Sequence, residues 1–149
     1  MTSRSFRAVA AALALLLPGT APALAQSVQE DAEPQLGLTL NTVSATEAGG
    51  CRLTFVIRNG LGADIESLVA EAVLFDGAGR VATLTLFDFG ALPAGRPRVR
   101  QFDLAGQSCD GLGEVLVNGI GTCEGDGLSP AACLEGLRLS TDTQIGVSG

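Results

Sequence analysis

The sequence predicts an all-β fold, and three observations carry that prediction. Asn/Asp-Gly pairs punctuate the chain at Asn59-Gly60, Asp76-Gly77, Asp110-Gly111, Asn118-Gly119 and Asp126-Gly127, and such dipeptides accept the positive φ of tight hairpin turns. Between them run short stretches rich in Val, Leu, Ile, Phe and Thr, the side chains that suit strands. Four cysteines, Cys51, Cys109, Cys123 and Cys133, all follow an N-terminal segment with the marks of an export signal. In that segment Arg4 and Arg7 precede an apolar run at residues 8–17, and Ala23-Leu24-Ala25 offers small residues for cleavage after Ala25. An exported chain meets an oxidising compartment, periplasmic or extracellular, where cysteines in even number read as two disulfides.

The organisation follows from the same marks. Residues 1–25 are expected to be removed as a signal peptide, leaving 124 of 149 residues, enough for one domain with its own core. Residues 26–35 are polar and acidic (Glu30, Asp31, Glu33, Pro34) and read as a disordered leader. The domain spans residues 36–149. No stretch of the mature chain approaches the roughly 20 apolar residues of a spanning helix, so no transmembrane segment is expected there.

Within the domain, residues 36–43 place Leu36, Leu38 and Leu40 on one side of a strand. Residues 51–58 alternate most cleanly: Cys51, Leu53, Phe55 and Ile57 face one way, Arg52, Thr54 and Arg58 the other. Residues 64–75 admit two periods. Ile65, Leu68, Val69, Ala72 and Val73 fall at helical spacing behind an Asp64 cap, while Leu68, Ala70, Ala72 and Leu74 against Val69, Glu71, Val73 and Phe75 fit a strand. Residues 81–89 alternate Thr83 and Thr85 with Leu84 and Leu86 between apolar flanks, which predicts burial on two sides. Residues 98–104 bring Phe102 and Leu104 inward, and residues 114–120 supply a further short strand.

The ambiguity at 64–75 is resolved by a likeness. Phe55-Val56-Ile57-Arg58-Asn59, then Val73-Leu74-Phe75-Asp76-Gly77, then Leu92-Pro93-Ala94-Gly95 and Phe102-Asp103-Leu104 follow the order of strand, loop and corner in a known group of domains. Over residues 53–104 the chain resembles the FxLYD and related immunoglobulin-like domains of exported bacterial proteins, departing from them with Leu74-Phe75 where Phe-Tyr is usual. The resemblance implies that residues 65–76 are a strand and that the domain is an immunoglobulin-like β-sandwich of about seven strands. It implies no activity.

Cys123 and Cys133 enclose nine residues, and Ser129-Pro130 between them has the form of a helix N-cap followed by proline at the first helical position. One short helical turn there would bring the two sulfurs together, leaving Cys51 to pair with Cys109. Four cysteines allow three connectivities, so this pairing is an expectation. A reactive dithiol would use Cys-x-x-Cys spacing, and a zinc site would gather all four thiolates; the scattered positions favour neither.

Absent residue types narrow the function. The chain has no His, Lys, Trp or Tyr, which removes the usual imidazole base, the lysine Schiff base and the rings on which sugars dock. Ser67, Ser108 and Ser129 lack a Gly-x-Ser-x-Gly setting. No catalytic residue and no cofactor is expected. Seven basic residues against sixteen acidic ones in the mature chain, a formal charge of −9, disfavour nucleic acid. The one basic cluster, Arg96, Arg98 and Arg100, could meet an acidic partner, though solvating and blocking an edge strand is the simpler role. Asp110, Glu124 and Asp126 lie in glycine-bearing turns and are the candidate oxygen donors for calcium, without an Asp-x-Asp-x-Asp-Gly loop to support them. Val69, Val73 and Phe75 are the first apolar patch to suspect as an interface, with the second sheet of the sandwich as their expected cover. The reading is a non-enzymatic exported binding or assembly module with a protein partner in the cell envelope. A calcium-binding protein or metal-dependent enzyme, and a purely structural envelope protein, are the alternatives.

Overall fold

The computed structural model describes residues 34–149; the expected signal peptide and residues 26–33 of the leader lie outside them. The described chain is a β sandwich of two four-stranded sheets. Its strands are β1 (Leu36–Ala45), β2 (Cys51–Asn59), β3 (Ile65–Asp76), β4 (Val81–Leu92), β5 (Arg98–Leu104), β6 (Leu112–Glu124), β7 (Leu137–Thr141) and β8 (Gly146–Ser148). A 3-10 turn (Cys109–Gly111) precedes β6, and the one helix, α1 (Pro130–Glu135), follows it. The first sheet has the order β5-β2-β1-β7 and the second β4-β3-β6-β8.

Strands 1, 2 and 5 in one sheet against 3 and 6 in the other reproduce the A, B, E and C, F division of immunoglobulin-like sandwiches. The tail departs from that scheme. β7 pairs parallel with β1, and β8 pairs parallel with the start of β6, so the last residues close one side of both sheets.

β3 is a strand along its whole length, paired antiparallel to β4 on one side and β6 on the other. A central position gives both edges of its backbone a ladder, and β-branched Val69 and Val73 suit it. The alternation holds in each sheet. Leu36, Leu38 and Leu40 of β1, Cys51, Leu53, Phe55 and Ile57 of β2, and Leu68, Ala70, Ala72 and Leu74 of β3 are all buried. Between the sheets Phe55, Phe87, Phe89 and Phe102 pack as a quartet, every pair of ring centroids lying 4.6 to 6.3 Å apart in tilted or edge-on arrangements, the separations that aromatic quadrupoles favour.

Both disulfides form as expected, Cys51–Cys109 and Cys123–Cys133, with Cα atoms 4.8 and 6.5 Å apart. α1 begins as the Ser-Pro pair predicts: Ser129 Oγ accepts a hydrogen bond from the Ala132 amide at 3.2 Å, with Pro130 at the first turn. The two bridges pin β6 near its two ends, one through the turn before it and one through the helix after it.

Two expectations are corrected. Asn118-Gly119 is no turn, because β6 runs through it for 13 residues. Along β3 the partners on β6 step from Thr122 to Ile120, from Gly119 to Val117 and from Glu114 to Leu112. Gly121, Asn118 and Gly113 are therefore the extra residues of bulges, which twist a strand without ending it. Of the five Asn/Asp-Gly pairs only Asp126-Gly127 places its glycine at positive φ; after Asp76 that role falls two residues later, to Gly79 at φ 75°. The second correction concerns β4, whose first half is exposed on both faces instead of buried on two sides. It is an edge strand, and among the described residues no element packs over that part of it.

Candidate functional site

The outward face of the second sheet is where the apolar surface lies. β3 turns its even-numbered residues from Leu68 to Leu74 into the core, which sends Val69, Glu71, Val73 and Phe75 outward. Register fixes their neighbours: Val73 lies opposite Leu84, Glu71 opposite Leu86, Phe75 opposite Val81 and Val69 opposite Asp88. On the other side Leu116 of β6 sits across from Val73 and Glu114 from Phe75. The expected cover for Val69, Val73 and Phe75 is thus overturned: the other sheet packs on the opposite face, and these three are half-buried only by their neighbours.

The most exposed apolar side chains are ones the sequence reading placed in the core. Leu84 is 72% exposed, Leu86 63% and Val81 57%. Leu84 and Leu86 together with Val73 line a shallow hollow bounded by Glu71 and Asn118. Alternation on β4 was visible; which side of the strand would be covered was not, because that depends on strand order.

Charge is divided between the sheets. Strands of the first sheet carry Arg52, Arg58, Arg98, Arg100 and Arg138 against a single acid, Asp103. Strands of the second carry Glu66, Glu71, Asp76, Asp88, Glu114 and Glu124 and, among the described residues, no basic residue. The register places Glu71, Asp88, Glu114 and Glu124 on the outward face itself, so every charged strand residue on that face is a carboxylate.

The arginine cluster separates on inspection. Arg100 reaches across the open side of the sandwich, donating from Nε to the Phe89 carbonyl at 2.8 Å and from Nη2 to the Ala91 carbonyl at 3.1 Å. Its guanidinium is consumed in capping the second half of edge strand β4. Arg98 donates to the Pro97 carbonyl, and Arg96 lies in the exposed connection before β5. The three do not form one anion site. Elsewhere Arg52 grips Asp103 with two bonds of 2.6 and 2.7 Å, and that side-chain bond holds the Asp103 carboxyl below its ordinary value. Asp76 is held low as well, first by the Arg80 backbone amide and then by the Arg80 side chain.

The candidate calcium donors are not gathered. Asp110 precedes β6 while Glu124 and Asp126 stand at and beyond its far end, and no group of three or more acidic or cysteine side chains is placed to hold a metal among the described residues. Ser129 caps α1, and Ser67 faces outward across from Glu124. One residue read in the sequence only as a turn and motif residue has a structural role. Asn59, 2% exposed, donates from Nδ2 to the carbonyls of Leu92 at 2.7 Å and Ala63 at 2.9 Å, and its Oδ1 accepts from the Leu61 amide at 3.0 Å.

Fold and surface together define a disulfide-clamped β sandwich with one apolar, acid-bordered face. No family model, curated protein or solved structure matches the chain.

Proposed function

We propose that this chain is a non-enzymatic exported module, periplasmic or secreted, that binds or assembles with a protein partner through the outward face of its second sheet. The observation that carries the reading is the pair Leu84 and Leu86, presented to solvent beside Val81 and Val73. Contiguous apolar surface with a polar border is the mark of an interaction site. Export is supported by the signal-like N-terminus and by four cysteines joined in two bridges, which persist in oxidising compartments. A binding role fits the absence of His, Lys, Trp and Tyr better than catalysis does.

Leu84→Asp tests it. An exposed position tolerates such a change within about 0.5 kcal/mol, so the melting temperature is expected to hold. A photo-crosslinking residue at Leu86 in intact cells should give a discrete adduct that Leu84→Asp abolishes. A folded, exported protein that yields no adduct overturns the reading.

A further inference from the structure

Strand β4 has two unlike halves. From Phe87 onward it belongs to the core, with Phe87, Phe89 and Leu92 buried, and its free edge is closed where Arg100 takes the Phe89 and Ala91 carbonyls. Residues 81–86 differ in both respects. All but Thr85 are exposed, and among the described residues nothing except β3 hydrogen-bonds to their backbone. Their open edge borders a groove whose far wall is formed by residues 103–107, the end of β5 and the turn after it. Natural sheets blunt such edges with charge, proline or cover; this protein does so on one half of a single strand and leaves the other bare beside its two most exposed leucines.

We infer that the open half of β4 accepts an added strand from a partner protein, extending the second sheet by β-augmentation. This deepens the docking face proposed above and rests on it. The chemistry of the added strand follows from the register. Its outward side chains would continue the row of Leu84, Leu86 and Asp88, so they are apolar beside the leucines and basic beside Asp88. The alternate side chains, turned toward the groove, are small or polar, because Thr83 and Thr85 share that side with the 103–107 segment. The other occupant of this edge is a second copy of the chain, residues 81–86 against 81–86, and protection of those amides without peptide that grows with protein concentration overturns the partner strand.

The probe is the synthetic peptide Arg-Thr-Val-Thr-Val-Thr-Arg, whose Arg and Val side chains fall on one side of a strand in either direction. With the peptide at millimolar concentration, hydrogen exchange of alternate amides in residues 81–86 should slow by about tenfold or more. Amides of residues 89–91 should not change. Three controls fix the mode: the same residues in block order, the peptide with Glu for Arg, and two versions N-methylated at alternate positions. The block and Glu peptides should lose the effect, as should one N-methylated version but not both. Slowing that survives block order or both methylations, or no slowing at 81–86, overturns strand addition. The two readings fail separately: an adduct from Leu86 in cells without edge protection leaves the docking face standing and removes the added strand, whereas absence of the adduct removes the face itself.

Discussion

Asn59 makes three hydrogen bonds with one buried side chain, joining the end of β2, the loop to β3 and the last residue of β4. Removing it leaves the buried Leu92 carbonyl and two partly buried groups without this partner, so Asn59→Ala should lower the unfolding free energy by about 2 kcal/mol, read from urea denaturation. The Arg52–Asp103 pair works at the surface and is expected to matter less. Its sign with pH is nevertheless defined. The folded Asp103 carboxyl titrates below the ordinary 3.8, so the pair adds to stability above that pH, and the addition is lost as pH falls through the folded value. Thermal melts of the wild type and Arg52→Gln should differ at pH 6 and converge toward pH 2. Of these residues only Asn59 had a sequence signal, as the polar end of an apolar strand before glycine. Its three partners were invisible, because they come from chain up to 33 residues away.

At the scale of elements, legibility tracked how many faces of a strand are covered. β2 was plain: it is buried on one face, and Cys51, Leu53, Phe55 and Ile57 alternate with polar neighbours without interruption. β3, central in its sheet and apolar on both faces, gave two periods, and its outward Val69, Val73 and Phe75 could be named but not oriented. β4 misled for the opposite reason. Leu84 and Leu86 look like core in sequence, and only the strand order reveals that they stand on an uncovered face at a sheet edge. β7 carried a signal that went unused, Leu137 and Leu139 flanking Arg138, while three-residue β8 is too short to leave one. Arg100 belongs to this scale because it acts on a strand. Arg100→Met should cost about 1 kcal/mol through the freed Phe89 and Ala91 carbonyls. It should also open the rest of the β4 edge, seen as concentration-dependent association in sedimentation velocity that the wild type does not show.

For the whole molecule, the disulfides set how far the sandwich relies on its sheets. Cys123–Cys133 spans 10 residues and Cys51–Cys109 spans 58. On the chain-entropy argument their loss raises the freedom of the unfolded chain by about 3 and about 4 kcal/mol respectively. Paired Cys→Ser variants should reproduce that order in denaturant titrations, the longer bridge costing more. The sequence offered this pairing as one of three, favoured because a short capped helix would fold Cys133 back toward Cys123. What the sequence hid was the sorting of charge, because residues far apart in the chain become neighbours only once strands are dealt to their sheets.

That sorting gives the sandwich a permanent dipole along the axis running from one sheet to the other. A cationic body drifting within a Debye length, about 8 Å at physiological salt, exerts a torque on the domain before touching it. The domain turns its carboxylate side, and with it the bare half of β4, toward the arrival. On the proposed reading, orientation of a cationic partner would be set during approach, leaving the leucines to complete the contact.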